Sequence, residues 1–336
     1  MATIKNKTMF KVVIPDNGNL VMPLVFQQDA AHHVWVDWGD KSYPDTYSYQ
    51  GLIEAKHTYK APGEYNITME VVDDGWLILG GGWTGGNAVG GNDEAAARML
   101  TYVSIGDDVT GISKYAFRGC ENLKSFVFNK AAEFSIGEYA FEDCTSLEEI
   151  AIHKSITTIP NGCFFNCSSL KKVAIPGSVY EISQNAFYGC SELKEVDLRY
   201  VTKIDDFAFA FCRKLTKVEL GEKCFSIGNN AFNSCTNMRE LILGNVKTIG
   251  DHAFYNAKSL TSFNCPESVT SIGPAAFAGC TSLRKIKMAA SNPPVLMSAD
   301  SIEPTEDLKI QVPWRSASTY SKATNWTVLA YALEGV

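Results

Sequence analysis

Ten cysteines and five histidines are the side chains of this 336-residue chain best suited to covalent or metal chemistry, and their spacing argues against both. An even cysteine count invites a disulfide framework. Seven of them, Cys120, Cys144, Cys167, Cys190, Cys212, Cys235 and Cys280, instead recur at one position of an internal repeat. Cys163, Cys224 and Cys265 replace an Ala, a Val and a strand apolar residue in other repeat columns. This placement predicts reduced, buried thiols acting as small hydrophobes, and Cys163 and Cys167 lack the second pair that a zinc site needs. His32 and His33 are adjacent, so on a strand they face opposite ways and cannot readily share an ion. His57, His153 and His252 stand apart, and neither His-Glu-x-x-His nor Gly-x-Ser-x-Gly occurs. Asp37 with Asp40, or Asp73 with Asp74, offers hard oxygens for calcium, although solvated turns explain both pairs. The glycine-rich stretch 80–91 lacks the Gly-Lys-Ser/Thr ending of a phosphate loop and reads as a connector. No catalytic residue, metal ligand or cofactor is expected, and the chain reads as a non-enzyme.

The elements that position these residues are written in the repeat. Ala-Phe, once Cys-Phe, recurs at Phe117, Phe141, Phe164, Phe187, Phe209, Phe232, Phe254 and Phe277, at intervals of 22 to 24 residues. Around each Phe stand an Ile five before, a Cys three after and a Leu six after, then apolar residues at nine and eleven. Such a period predicts a solenoid. The Leu-x-x-Val-x-Leu end alternates, so Val196 and Leu198 should point inward from a short strand. The segment from Ile182 to Cys190 has the spacing of a short helical turn on the opposite face. No single unit can bury its own Phe, Ile and Leu, but parallel strands stacked about 4.8 Å apart bury them in a continuous core.

This unit, Ile-Gly-x-x-Ala-Phe-x-x-Cys-x-x-Leu-x-x-Val-x-Leu, resembles the leucine-rich repeats of BspA-like bacterial surface proteins. The likeness runs from about Leu100 to Met288, with Pro176 and Pro266 where the family often has proline. Cys163 for Ala, Ala257 for Cys and Met238 for Leu depart from it without breaking an apolar column. Upstream, Phe10–Ile14, Leu20–Phe26, Val34–Trp38 and Tyr65–Val71 read as strands separated by turns. There Trp38-Gly39-Asp40, His57-Thr58-Tyr59 and Pro62-Gly63-Glu64-Tyr65 resemble a polycystic-kidney-disease-type (PKD) β-sandwich, with Lys41 in place of a common Gly. Downstream, Leu308, Ile310 and Val312 suggest a last strand, and Tyr320-Ser321-Lys322-Ala323 with Trp326 a short closing helix. A cap is needed because an open last coil would expose a strand edge. The expected organisation is a sandwich over 1–79, a glycine-rich linker over 80–99, a solenoid over 100–290 and a cap over 291–336.

A formal charge of −7 without a basic stripe excludes a nucleic-acid partner. No apolar run reaches the length of a membrane span, and Met1–Phe10 carries no leader-like apolar segment. The BspA likeness implies a cell-surface or secreted protein that binds or adheres to another protein. A carbohydrate-binding protein, with Trp83 and Tyr200 as aromatic platforms, and an intracellular or phage-associated structural protein are the alternatives.

The strand face is the expected binding surface. Its first outward column holds Ser125, Glu149, Lys172, Glu195, Lys217, Glu240, Ser262 and Lys285, whose alternating signs suit a self-paired ladder. A second column holds Val127, Ala151, Ala174, Asp197, Glu219, Ile242, Asn264 and Lys287. With His153, Arg199 and Tyr200 just beyond the strands, Asp197 and Glu219 form an acidic centre expected to meet a basic or mixed partner.

Overall fold

The computed structural model describes residues 6–16, 21–28, 30, 32–48, 50–72, 75–80, 94–130 and 133–336. Trp83, Asp73, Asp74, Leu20 and all but Gly80 of the glycine-rich stretch lie outside the described residues. The chain divides into two compact units, Met1–Ile156 with Gly162–Pro176, and Thr157–Asn161 with Gly177–Val336.

In the first unit seven strands precede the repeats: β1 (Thr8–Ile14), β2 (Val21–Gln28), β3 (Val34–Asp37), β4 (Asp45–Tyr47), β5 (Gly51–Thr58), β6 (Gly63–Val71) and β7 (Leu77–Leu79). Phe10, Val12 and Ile14 of β1 face inward by strict alternation. That strand pairs antiparallel with β6 on one side and with β8 (Leu100–Ser104) on the other. From β8 the sheet continues in parallel through Ser125–Val127 and Glu149–Ala151 to Lys172–Ala174. A second sheet runs β5, β2, β7, β9 (Val109–Ile112), Ser135–Ile136. Both sheets therefore pass from the N-terminal strands into the first coils through backbone hydrogen bonds. Strand β5 has no obvious signal in the sequence, since only Ile53 and Ala55 of its residues are buried and Leu52 is exposed. Its eight-residue pairing with β2 supplies what its composition lacks.

The second unit repeats one coil. Most have an inner strand, such as Lys217–Glu219 or Glu240–Ile242, and a two-residue strand around the Ile, such as Glu181–Ile182 or Lys203–Ile204. The coil of Val196 and Leu198, expected to carry a short strand, instead has an isolated bridge from Leu198 to Leu220, with Leu198 buried and Val196 half-buried. The strands give a six-stranded and a seven-stranded parallel sheet, the former ending in Leu333–Gly335 as its sixth strand, which the repeat pattern does not announce. Between them the Phe side chains stack: Phe187 on Phe209 at 5.0 Å, Phe209 on Phe232 at 5.3 Å and Phe232 on Phe254 at 5.4 Å, all with nearly parallel rings. Fully burying one such side chain is worth roughly 1.5–3 kcal/mol relative to exposing it.

The segment read as a helical turn is a chain of tight turns instead. Ala186 N–H donates to Ser183 O and Cys190 N–H to Phe187 O, but Phe187 N–H leaves the coil to reach Ala208 O at 2.7 Å. Two residues per coil hold positive φ, two before and two after the Phe, as at Asn185 (57°) and Gly189 (74°). A right-handed helix cannot pass through such positions. Gly162 (φ 57°) holds this place in the first unit because the Tyr139 ring occupies the space where a Cβ would stand.

All ten cysteines are free and buried. Their column has a second role: the thiols of Cys144, Cys167, Cys212, Cys235 and Cys280 each donate to the Phe carbonyl of the coil before, at 3.1–3.3 Å. At the C-terminus the helix Ala317–Lys322 and the 3-10 helix Thr327–Ala332 bring buried Tyr320 and Trp326 against the last coil. Tyr320 Oη donates to Ala290 O, Trp326 Nε1 to Pro294 O and Asn325 Nδ2 to Leu296 O, all within 2.8 Å.

Candidate functional site: a groove on the strand face

Three successive strands of the first unit, Ser125–Val127, Glu149–Ala151 and Lys172–Ala174, pair in register, Glu149 opposite Lys172 and Ala151 opposite Ala174. Their middle residues, Phe126, Ile150 and Val173, are buried, so the flanking residues must point outward. Val127 (44% exposed), Ala151 and Ala174 become an apolar floor. Small residues on neighbouring strands leave a groove of about 740 Å³. Ser125, Glu149 and Lys172 line one margin, and Asn129, Lys130, His153 and Lys154 the other.

Expected site residues Glu149, His153 and Lys172 thus meet in one place. His153 does so as a wall and not as an exposed contact: it is only 4% exposed, and its Nδ1 lies 2.9 Å from Ser155 Oγ, which in turn donates to Phe134 O. Lys130 and Lys154 escape the column analysis because they lie beyond the strand ends. Their 24-residue separation, the same as that of Phe117 and Phe141, is the signal that would have placed them together.

The remaining expected residues lie in the second unit and engage one another. Asp197 receives Arg199 through Nε at 3.0 Å and Nη2 at 2.7 Å, and also accepts the Arg199 backbone N–H. This guanidinium bond holds the Asp197 carboxyl below its usual range. Lys217 sits 2.9 Å from Glu219 and 3.2 Å from Glu240, and these bonds, Glu219 first, raise its pKa. Of the expected acidic centre, each carboxylate therefore already holds a cation. Glu195 and Tyr200 are exposed, Tyr200 by 55%. Of the alternating column, Lys217 and Glu240 pair across neighbouring strands.

Among the N-terminal strands, His57 Nε2 lies 2.9 Å from Asp40 Oδ2, and its ring stacks on Trp38 at 5.1 Å. Trp38 Nε1 donates to Asp45 Oδ2 and Tyr59 Oη to Trp38 O. His57 is a packed, hydrogen-bonded residue. Among the described residues no group of three or more His, Cys, Asp or Glu could hold a metal ion, and no helix is long and apolar enough to cross a membrane.

A family model for the BspA-type leucine-rich repeat region matches residues 95–206 and 202–294, more than half of the chain. No curated protein matches it. Among solved structures the chain is similar to a leucine-rich repeat protein from Bacteroides ovatus, at 23% identity over 63% of this chain and 57% of that one, with a TM-score of 0.45. It thus spans 57% of that protein's length. It is also similar to a leucine-rich repeat protein of T. pallidum (23% identity, 54% of this chain and 77% of that one, TM-score 0.41). A leucine-rich cell surface protein from Faecalibacterium prausnitzii is similar at 22% identity over 70% of this chain and 78% of that one, with a TM-score of 0.29.

Proposed function

Because the chain belongs to the family of BspA-type leucine-rich-repeat proteins, we propose that it is a non-enzymatic bacterial surface protein that binds or adheres to another protein through the outward face of its inner strands. The observation that carries this reading is the groove over Val127, Ala151 and Ala174, an apolar floor with polar margins on a rigid parallel sheet. Interface cores favour such composition, although fold alone never establishes function. In the second unit the charges of Asp197 with Arg199 and of Lys217 with Glu240 already engage one another.

The N-terminal strands are proposed as a PKD-like module that spaces or presents the repeats. Two features support it. Lys41, which stands where that family commonly has Gly, adopts φ 67°, a conformation in which glycine is at ease. The motif's Trp38, His57 and Tyr59 also pack on one another, with Tyr59 Oη donating to Trp38 O.

The purified chain, presented in parallel to a panel of extracellular-matrix proteins and to a glycan array, tests this proposal. Binding to a protein that is lost in Ala151→Gln and kept in His57→Asn supports it. Loss only in the His57 variant moves the site to the N-terminal strands, and binding confined to glycans overturns it in favour of carbohydrate recognition.

A further inference from the structure

The groove has a charge opposite to that of the chain. Against a formal net charge of −7, its margins hold Lys130, Lys154 and Lys172 with Glu149 as the only carboxylate among its lining residues. All three lysines are exposed. Lys171 beside them is held by Glu148 at 2.7 Å, and Lys217 further along the same column by two carboxylates. Between these ammonium groups lies the apolar floor, one small side chain per strand at about 4.8 Å intervals. Among the described lining residues Phe128 is the one aromatic ring that is not buried, too few for a row of stacking platforms. Phe128 packs edge-on against Phe126 and Phe134, at 4.9 and 5.2 Å, and His153 is buried. Stacking platforms are the usual device of single-strand nucleic-acid recognition.

Building on the protein-binding reading of this face, we propose that the groove takes an extended, acidic peptide segment of the partner. Small apolar side chains of the segment rest on Val127, Ala151 and Ala174, and its carboxylates meet Lys130, Lys154 and Lys172. Strand-like segments present alternate side chains to one face, which matches a floor flanked by charge. The cations also draw such a segment in from solution over about 8 Å at physiological ionic strength.

Fluorescence anisotropy with short labelled peptides provides the test: one alternating Glu and Val, one Gln and Val, one Lys and Val, with fluorescein-labelled polygalacturonate as the acidic glycan. The full chain should prefer the Glu–Val peptide and release it as salt rises. Reversal of Lys130, Lys154 and Lys172 to Glu, with circular dichroism confirming the fold, should weaken that binding by roughly tenfold or more and favour the Lys–Val peptide. Equal binding of the Glu–Val and Gln–Val peptides, indifference to the reversal, or binding of polygalacturonate alone would overturn the inference. If Ala151→Gln removes a matrix protein while the charge reversal leaves that protein bound, the protein-binding reading stands and the acidic-segment inference falls. If neither variant affects it, both fall.

Discussion

Burial lifts the thiol pKa of Cys224 to about 11 and those of Cys265 and Cys280 to about 12, and also pushes Cys120, Cys144, Cys163, Cys167, Cys212 and Cys235 well up. Since the thiolate is the reactive form, the native protein at pH 8 should react only slowly with a disulfide reagent such as DTNB. Denatured without reductant, it should titrate all ten thiols, and two or more stable disulfides would contradict this. Asp40 shows the opposite shift. Its hydrogen bond with Ser42 lowers its carboxyl to about 2, against an opposing burial effect that the hydrogen bond with His57 helps to offset. Because the folded value lies below the unfolded value of about 3.9, the ionised carboxyl adds stability above about pH 4 and loses it as pH falls toward 2. Thermal unfolding between pH 5 and pH 2 should therefore be steeper in pH for the native chain than for Asp40→Asn. The reduced state of the cysteines was legible from their column, because a repeat assigns one environment to each position. The pairing of Asp197 with Arg199 was not, since a bond between residues two apart depends on the local chain path.

Phe209 lies between Phe187 and Phe232 with no exposed surface, so Phe209→Ala leaves a cavity that its neighbours can fill only by breaking their own stacking. A loss of about 3–5 kcal/mol in urea unfolding is expected, and unchanged stability would mean that the Phe ladder is misplaced. Period and inward columns were readable because they record burial. The arm after each Ile was misread as helical because its apolar spacing fits a helix, whereas its backbone does not. Tyr115, Phe207, His252 and Ala275 adopt positive φ as readily as Asn185 or Asn230 do, and no residue type there warns of it. The second sheet was hidden for a related reason: strands of two residues, such as Thr248–Ile249, are too short to alternate. Such strands exist only because the next coil supplies their partner.

On the scale of the whole molecule, the solenoid and its closing residues followed from sequence because stacking needs only nearest neighbours. The groove did not, although its floor residues stood in a known column. A column shows which way a residue points, while a groove also depends on how small its neighbours are and on what stands past the strand ends, where Lys130 and Lys154 lie.

Each coil binds the next through backbone donors, as Phe209 N–H does to Ala231 O and Phe232 N–H to Ala253 O. That linkage is blind to side-chain identity, so the number of coils is a heritable quantity that unequal recombination can raise or lower without inventing a new joint. Deleting residues 210–232 joins Phe209 to Asn233 and lets one phenylalanine inherit the other's neighbours. The shortened chain should remain folded by circular dichroism and unfold cooperatively at a modestly lower temperature. A deletion of the same length displaced by half a period still joins like columns and should also survive, whereas an excision of half as many residues fuses two different columns and should not fold, if the gene's length is free only in whole repeats.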